Sequence, residues 1–349
     1  MPASPGPAGT GFPRAGGPPH VNDRERTEIL MDAAVLHTLG KPPRCEQFPE
    51  PEAGEGEVIV RVRAAALNPS TKAVAGGGHF ATSGALPAVV GLDGVGVLED
   101  GSRVFFGGPR KPYGSMAQAT VARPAFCWPV PDGVDDVTAA ALPNPAMSSW
   151  VPLEYGARLK EGETVLVLGA TGSAGRLAVQ IAKLCGAGRV VAAGRNQAVL
   201  DTLAELGADA TVSLNGTEDE IAEAFVAAAG EDGFDVILDY LWGKPTEALL
   251  KAMTRSDFHL RSSGPRLVQI GESAGPDISL SAGTVRSAGL SIIGSSFPPP
   301  QAFLDMFNRL MAAAAAGEVR IDTRAVPLAE IEEAWQAEDT DGKRLVIVP

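Results

Sequence analysis

The stretch TVLVLGATGSAGRLAVQIAKLC, residues 164–185, decides the fold of this chain. Its first five residues, 164–168, are a short apolar run, which is typical of a strand buried within a parallel sheet. Residues 174–185 place apolar side chains at helical spacing, with Arg176 and Lys183 on the opposite face. A strand, a turn of small residues and a helix in direct succession predict one unit of a doubly wound α/β sheet.

The turn between this strand and this helix is a candidate phosphate-binding loop. Small residues allow backbone N–H groups to approach a pyrophosphate, and the helix N-terminus adds partial positive charge. The usual GxGxxG register would put its first glycine at Ala170, so the match is imperfect, and an ordinary glycine-rich turn is the alternative. The candidate cofactor contacts in this loop are Gly169, Ala170, Thr171, Gly172, Ser173, Ala174 and Gly175.

The end of the next predicted strand, 189–193, bears on the choice of cofactor. A site for NAD usually ends this strand with Asp or Glu, which accepts a hydrogen bond from the ribose 2′-hydroxyl. Here Gly194, Arg195 and Asn196 follow, so a guanidinium is available to bind a 2′-phosphate. The sequence therefore favours NADPH over NADH. The alternative is that Arg195 is a solvated residue at the start of a helix.

Strands and helices alternate after about residue 150, as in a doubly wound parallel sheet. Further strands are predicted at 210–214, 235–239, 266–270 and 290–294, and a helix at 197–206. Ligands of such sheets bind at the carboxyl ends of the strands. The residues that follow two of these strands, Tyr240 with Leu241 and Ile270 with Gly271, are therefore candidate cofactor contacts.

The chain before this region reads mostly as β-structure. Residues 58–65 alternate apolar and polar side chains, and shorter strands are predicted at 88–90, 94–98 and 102–106. Helices at 300–317 and 328–338 and strands at 324–326 and 344–348 predict a return to this first domain. The predicted domains are a disordered Pro/Gly-rich tail over 1–30, a β-rich domain over 31–147 with 298–349, and a cofactor-binding domain over 148–297.

Composition and charge argue against several classes of protein. The net charge of the 349 residues is −13 and no basic stripe stands out, which disfavours a nucleic-acid partner. No apolar stretch is long enough to span a bilayer. The cysteines at 45, 127 and 185 show no paired spacing, which argues against disulfides and fits a reducing cytoplasm.

With these features in place, residues 31–349 resemble the medium-chain dehydrogenase/reductase superfamily, and within it the quinone oxidoreductases. The resemblance implies a GroES-like β-rich domain with an inserted Rossmann domain. The segments that carry it are ALNPS at 66–70, GLDGVG at 91–96, AMSSW at 146–150, the turn at 168–175, GRN at 194–196 and GKRLVIVP at 342–349.

The chain departs from the zinc-dependent branch of that superfamily. Asn68 stands where that branch has a Cys ligand, and Leu92 and Asp93 stand where it has His and Glu after a glycine. A catalytic zinc needs about three protein ligands, and the four histidines and three cysteines offer no such set at recognisable spacing. No metal is therefore expected.

The resemblance implies roles for three further residues. Asn68 is expected near the nicotinamide and the substrate, where its amide can donate to a carbonyl oxygen, although a simple Asn-Pro turn is the alternative. Ser148 matches a residue that contacts the nicotinamide ribose; alternatively, its hydroxyl bonds its own helix backbone. Lys343 is either a contact for the cofactor phosphates or a solvated lysine.

The proton donor is the least defined part of the expected site. His79 is a candidate because an imidazole can donate a proton near neutral pH, whereas a surface histidine without a catalytic role is the alternative. Lys72 and Tyr113 are further candidates. Several quinone oxidoreductases rely on solvent instead.

The resemblance implies an NADPH-dependent oxidoreductase that transfers a hydride to a quinone or an α,β-unsaturated carbonyl without a metal. A small-molecule substrate between the two domains and a homodimer paired through Rossmann edge strands are expected with it. Two alternatives stay open. One is a zinc-free ketoreductase or alcohol dehydrogenase of a biosynthetic pathway, which needs a defined general acid; the other is an NADPH-binding sensor with little turnover.

Overall fold

A computed structural model describes residues 29–78, 82, 85–260, 264–295, 298–337 and 342–349. The strands in this part of the chain are β1 (Leu30–Leu36), β2 (Arg44–Pro49), β3 (Val58–Ala66), β4 (Ala88–Val89), β5 (Asp93–Val97), β6 (Arg103–Gly107), β7 (Ala119–Ala122), β8 (Cys127–Pro129), β9 (Thr164–Leu168), β10 (Arg189–Gly194), β11 (Ala210–Ser213), β12 (Val236–Asp239), β13 (Arg266–Gln269), β14 (Ser291–Gly294), β15 (Thr323–Pro327) and β16 (Arg344–Val348). The α-helices are α1 (Pro69–Gly76), α2 (Asp136–Ala141), α3 (Pro143–Val151), α4 (Ser173–Leu184), α5 (Gln197–Leu200), α6 (Glu218–Ala229), α7 (Gly243–Ala252), α8 (Ala282–Ala288), α9 (Pro300–Ala315) and α10 (Ile331–Gln336).

A six-stranded parallel sheet forms the second half of the molecule. Its strand order is β11-β10-β9-β12-β13-β14, with every neighbouring pair parallel. This is the order of a doubly wound dinucleotide-binding sheet, in which the direction of winding reverses between the first strand and the fourth. The predicted parallel-sheet fold is confirmed.

The β-rich part contains a seven-stranded sheet and a three-stranded one. The larger sheet has the order β15-β16-β3-β5-β6-β8, with β7 paired to β3, and the smaller has the order β2-β1-β4. β16 pairs with β3 through Val346 and Ile347, which confirms that the chain returns to this sheet after the parallel one. The exact domain boundaries stay predictions.

The apolar run of β9 is explained by burial on both sides of the sheet. Val165 and Val167 belong to a core that includes residues of α3, α4 and α9, whereas Leu166 and Leu168 belong to a second core against α6 and α7. All four side chains are fully buried. A strand covered on both faces needs no polar positions, so its sequence does not alternate.

Two predicted helices are broken in the structure. The segment predicted as one helix at 197–206 is α5 followed by a separate 3₁₀ turn, Leu203–Leu206, which ends at the left-handed Gly207. The segment at 328–338 begins with a 3₁₀ turn, Leu328–Glu330, and becomes α-helical only in α10. In both cases the apolar spacing continues through a tighter turn, so the sequence pattern alone does not show the break.

Two predictions, the tail and the homodimer, remain outside what the fold tests, whereas the described helices do bear on a membrane span. The predicted tail lies outside the described residues except for Ile29 and Leu30, and Leu30 already belongs to β1. The homodimer stays a prediction; β14 ends the order of the parallel sheet and exposes 41% of Ile292 there. Among the described helices, none has the length and apolarity that a membrane span requires.

Candidate active site

A cavity of about 700 Å³ lies at the carboxyl ends of the parallel strands. We call it the strand-end cavity, and its wall includes the loops after β9, β10, β12 and β13. The predicted cofactor residues that line it are Ser148, Gly169, Thr171, Gly172, Ser173, Ala174, Gly175, Arg195, Tyr240, Leu241, Ile270 and Gly271. Ala170 and Lys343 are not among its lining residues. The sequence prediction therefore converges on one concave site.

The glycines of the turn are required by close backbone contacts. A Cβ atom at Gly175 would lie 2.2 Å from the carbonyl oxygen of Gly169, so α4 can approach β9 this closely only with glycine. Gly169 has a φ of +92°, in the left-handed region that favours glycine. Ala170 is fully buried beneath the turn. The first residues of α4, Ser173 and Ala174, line the cavity, where the backbone N–H groups of a helix N-terminus can bind an anion.

Gly194, the last residue of β10, has little space for a side chain. A Cβ atom at Gly194 would lie 2.4 Å from Cγ2 of Thr171. Arg195 itself is exposed and lines the cavity, and it forms no ion pair with any other described residue. Asn215 donates from Nδ2 to the Arg195 carbonyl at 2.7 Å, which fixes the backbone at this point. The geometry leaves the guanidinium available to an anionic ligand.

Arg344, the first residue of β16, contributes a second cation that the sequence reading missed. It is 7% exposed and lines the strand-end cavity, and its Nη2 donates to Oγ of Ser173 at 2.8 Å. Its Nε has no hydrogen-bond partner among the described residues. The neighbouring Lys343, predicted as either a phosphate contact or a solvated lysine, is exposed and does not line this cavity. Lys343 precedes β16, whereas Arg344 is the first residue of that strand and is buried beside Ser173.

Tyr240 and Ser148 meet where the cavity reaches α3. Their hydroxyl oxygens are 3.1 Å apart, and Ser148 Oγ also donates to the carbonyl of Pro145 at 2.7 Å. Burial raises the pKa of Tyr240 to about 12, so its hydroxyl is neutral at physiological pH. Asp239 holds the adjoining loop, since its carboxylate accepts from the backbone N–H groups of Leu241 and Trp242.

A second cavity of about 400 Å³ adjoins the first. We call it the aromatic cavity, because Phe105, Trp128 and Phe303 form much of its wall, with the Trp128 and Phe303 rings 5.0 Å apart. The two cavities share Asn144 and Ser148 of α3. The remaining lining residues of the aromatic cavity are Leu92, Asp93, Gly107, Gly108, Pro143, Met147, Val151, Ser295 and Pro298.

Asn68 lies behind the wall of the aromatic cavity. Its side chain is fully buried, and its Nδ2 donates to Oδ1 of Asp93 at 3.3 Å. Its own Oδ1 has no hydrogen-bond partner among the described residues. Direct contact of Asn68 with a substrate stays a prediction, whereas its contact with Asp93, which does line the cavity, is observed. Burial raises the pKa of Asp93 to about 7, and the charge of Arg344 opposes this rise.

Of the other predicted proton donors, the two that the structure describes, Lys72 and Tyr113, do not line the aromatic cavity. His79 lies outside the described residues. Tyr113 packs edge-on against Phe48, with the guanidinium of Arg110 over its ring, and Lys72 lies in α1; neither lines the aromatic cavity. Within the described ranges, no group of three or more His, Cys, Asp or Glu side chains could hold a metal ion.

Comparison with known proteins places this chain among oxidoreductases. The family model described as zinc-binding dehydrogenase matches residues 174–313. A quinone oxidoreductase of Lama guanicoe is 30% identical over 71% of this chain and 74% of its own length. A 2-methylene-furan-3-one reductase of Solanum lycopersicum is 31% identical over 54% of this chain. The chain spans half the length of that reductase and 12% of a polyketide synthase that it also matches.

A solved structure agrees with these relatives. The quinone oxidoreductase of Thermus thermophilus, described together with its complex with NADPH, superposes with a TM-score of 0.76 at 29% identity, covering 91% of this chain and 100% of that one. The fold is that of a two-domain dehydrogenase/reductase with a strand-end cofactor cavity. The chain belongs to the quinone oxidoreductase family of the medium-chain dehydrogenase/reductase superfamily.

Proposed function

We propose that this protein is an NADPH-dependent reductase of quinones or α,β-unsaturated carbonyl compounds that works without a metal. The observation that carries the proposal is the junction of two cavities at Asn144 and Ser148. One cavity has the features of a dinucleotide site, and the other is an apolar chamber with few polar groups. If each cavity held a ligand, the two ligands would meet beside α3.

The residues of the strand-end cavity fit NADPH. The open N-terminus of α4 suits a pyrophosphate, and Arg344 adds a fixed positive charge with an unpaired Nε beside Ser173. Arg195 can bind a 2′-phosphate, since no carboxylate is present at the end of β10 to repel it. Bound NADPH supplies a hydride from C4 of its nicotinamide ring. Tyr240 and Ser148 offer neutral hydroxyls at the cavity junction.

The aromatic cavity favours a neutral, planar acceptor. Its wall combines Trp128, Phe105 and Phe303 with Met147 and Val151, and no described lining residue is cationic. Aromatic rings prefer offset stacking with other planar π-systems, which quinones and conjugated carbonyls provide. Exclusion of water by these side chains also strengthens any hydrogen bond made to the acceptor oxygen.

The test is the initial rate of NADPH oxidation by the purified protein. The acceptors are a benzoquinone, a naphthoquinone, an enal, a cyclic enone and a saturated ketone, each with NADPH and with NADH, with and without a chelator. Oxidation of NADPH that is confined to conjugated acceptors and unchanged by the chelator is expected. Reduction of the saturated ketone at comparable rates would favour a ketoreductase. Tight NADPH binding without turnover of any acceptor would contradict the proposal.

A further inference from the structure

We infer that Asp93 is the general acid of this active site, donating a hydrogen bond and then a proton to the carbonyl oxygen of the acceptor. This role rests on the proposed function. Asp93 begins β5 and lines the aromatic cavity. Among the described residues that line this cavity, it is the one with an ionisable side chain near neutral pH.

The carboxyl group of Asp93 lies between the protein interior and the aromatic cavity. Toward the protein, Oδ1 accepts from Nδ2 of the fully buried Asn68 at 3.3 Å. Toward the cavity, the side chain is partly exposed, on the same wall as Phe105 and Gly107 of the neighbouring strand. One carboxyl oxygen is therefore held by the protein, and the group can present the other to a ligand.

Asn68 suits both protonation states of this carboxyl. An amide nitrogen can donate both to a carboxylate and to the carbonyl oxygen of a carboxylic acid. With Nδ2 of Asn68 donating to Oδ1 of Asp93, the proton of the neutral carboxyl lies on the other oxygen, which the group can present to the cavity. The same hydrogen bond remains after that proton is transferred. Asn68 is thus a positioning residue for Asp93.

The charges around Asp93 set the pH range in which it can act. Arg344 of β16 is the cation whose charge acts on it, and that charge favours the carboxylate. Gly107 of β6, which pairs with Asp93, carries no charge. Ala64 of β3, which pairs with the nearby Val95, carries none either. Burial outweighs the effect of Arg344, so the pKa of Asp93 is raised to about 7. A carboxyl with such a pKa is close to the optimum for proton transfer at neutral pH.

The chemical step balances with one hydride and one proton. As the hydride reaches the β-carbon of an enone, the C=C π-electrons form a new C=C bond toward the carbonyl carbon, and the C=O π-electrons move onto the oxygen. Asp93 transfers its proton to that oxygen, which gives an enol and a carboxylate. A quinone that accepts the hydride at a ring carbon gives the keto tautomer of the hydroquinone by the same step. That tautomer becomes the hydroquinone when the ring carbon loses a proton to solvent and the second carbonyl oxygen gains one. The carboxylate regains a proton from solvent, and the enol converts to the ketone after release.

Tyr240 is another candidate acid, but its position in the structure indicates a different role. It lines the strand-end cavity rather than the aromatic one, and its hydroxyl is engaged with Ser148. With its pKa raised to about 12, it holds its proton through a catalytic cycle at neutral pH. It is a hydrogen-bond donor at the junction, whereas Asp93 can exchange its proton with solvent.

The first test compares the wild-type protein with Asp93→Asn, which keeps the shape and removes the acid. For a cyclic enone, wild-type kcat should be level below a pH of about 7 and fall by about tenfold per unit above it. Asp93→Asn should lower kcat by about 100-fold or more at pH 6 and remove the pH dependence. Asp136→Asn, which removes a half-buried carboxylate paired with Arg103 away from both cavities, is the matched control and should keep the wild-type profile.

The second test needs neither NADPH nor turnover. Infrared difference spectra of the protein between about pH 5 and about pH 9 report the C=O stretch of protonated carboxyl groups. One such band should disappear with a midpoint near pH 7 in the wild-type protein and in Asp136→Asn. It should be missing in Asp93→Asn. The wild-type titration also tests the assignment should Asp93→Asn fail to fold, because the absence of any carboxyl titrating near neutral pH would overturn it.

The outcomes separate the two proposals. If the wild-type protein reduces the enone and Asp93→Asn does so within about threefold with the same pH profile, Asp93 is not the acid, and the proposed function stands. If the wild-type protein does not oxidise NADPH with any of the acceptors tested, the proposed function fails and the role of Asp93 fails with it. A pH-dependent wild-type rate that Asp93→Asn abolishes, together with loss of the infrared band, supports both.

Discussion

The strand-end cavity and the aromatic cavity share Asn144 and Ser148, but they are built in different ways. Backbone dominates the first, because its central turn consists of glycines and small residues that directly follow β9. Side chains dominate the second, and they come from segments as far apart as Leu92 and Phe303. A ligand in the strand-end cavity would be held mainly by backbone groups of one turn. A ligand in the aromatic cavity would be held by side chains from distant segments.

This difference predicts how the two regions respond to substitution. In a backbone-built site, a methyl group added where backbone atoms already touch, as at Gly175, displaces the turn, because no side chain can rotate away from it. In a side-chain-built site, the loss of one ring removes part of the wall, and the remaining rings still line the cavity. Variants in the first should therefore affect every acceptor equally, and variants in the second should change the choice among acceptors.

The largest effect is expected for Gly175→Val. Its Cβ would lie 2.2 Å from the carbonyl oxygen of Gly169, so α4 must move away from β9. We expect NADPH binding to be lost and the free energy of unfolding to fall by about 1–3 kcal/mol. Calorimetric NADPH titration and urea unfolding measure both. Gly172→Ala is the control for stability, since its Cβ would lie 3.7 Å from the nearest atom and should leave the unfolding free energy within about 1 kcal/mol of wild type.

The next effect is expected for Arg344→Met, compared with Lys343→Met. Loss of the buried guanidinium removes a charge and the bond to Ser173, so the Kd for NADPH should rise by about 10- to 100-fold. Lys343 is exposed, and its replacement should change Kd by less than about twofold. Equal effects of the two variants would support Lys343 as a second contact for the cofactor phosphates. Because Arg344 lowers the pKa of Asp93, the falling limb of the pH profile should also move to higher pH in Arg344→Met.

A smaller and more selective effect is expected for Arg195→Ala. The Arg195 side chain is exposed beside the space at the end of β10, where a 2′-phosphate would lie. We expect kcat/KM for NADPH to fall by about 10- to 30-fold, and that for NADH, which lacks the phosphate, to change little. A parallel fall with both cofactors would show that Arg195 supports the site as a whole and does not select the phosphate.

The smallest effect should come from Trp128→Ala. Its ring stands 5.0 Å from that of Phe303 in the aromatic cavity, so its removal opens the wall against a flat acceptor. The kcat/KM for a naphthoquinone should fall about 5- to 10-fold relative to that for a short enal. Phe126→Ala is the control, because Phe126 touches Trp128 edge-on from outside the cavity. A change of NADPH affinity in Trp128→Ala would contradict the separation of the two cavities.

The sequence predicts the backbone-built half of the site well for a physical reason. The turn at 169–175 is contiguous, and its strand and helix flank it directly, so local rules suffice. The wall of the aromatic cavity depends on contacts across the chain. Asp93 was visible as a departure from the zinc-dependent pattern, yet its environment comes from Asn68 and Arg344, which lie in other parts of the chain.

Arg344 was missed in the sequence for the same reason. Arg344 is buried where β16 pairs with β15, and it contacts Ser173 at the start of α4. These contacts join distant parts of the chain and are not visible in the local sequence. The tightened turns after α5 and before α10 were missed because their apolar spacing hardly differs from that of an α-helix.

The contact between Gly194 and Thr171 constrains how this enzyme could evolve. An acidic residue at the last position of β10 would be the direct route to NADH, but its Cβ would lie 2.4 Å from Thr171 Cγ2. An acidic residue there would therefore require Thr171 to move or to be replaced by a smaller residue. The packing of this neighbouring loop would consequently protect the proposed preference for NADPH against single substitutions at that position.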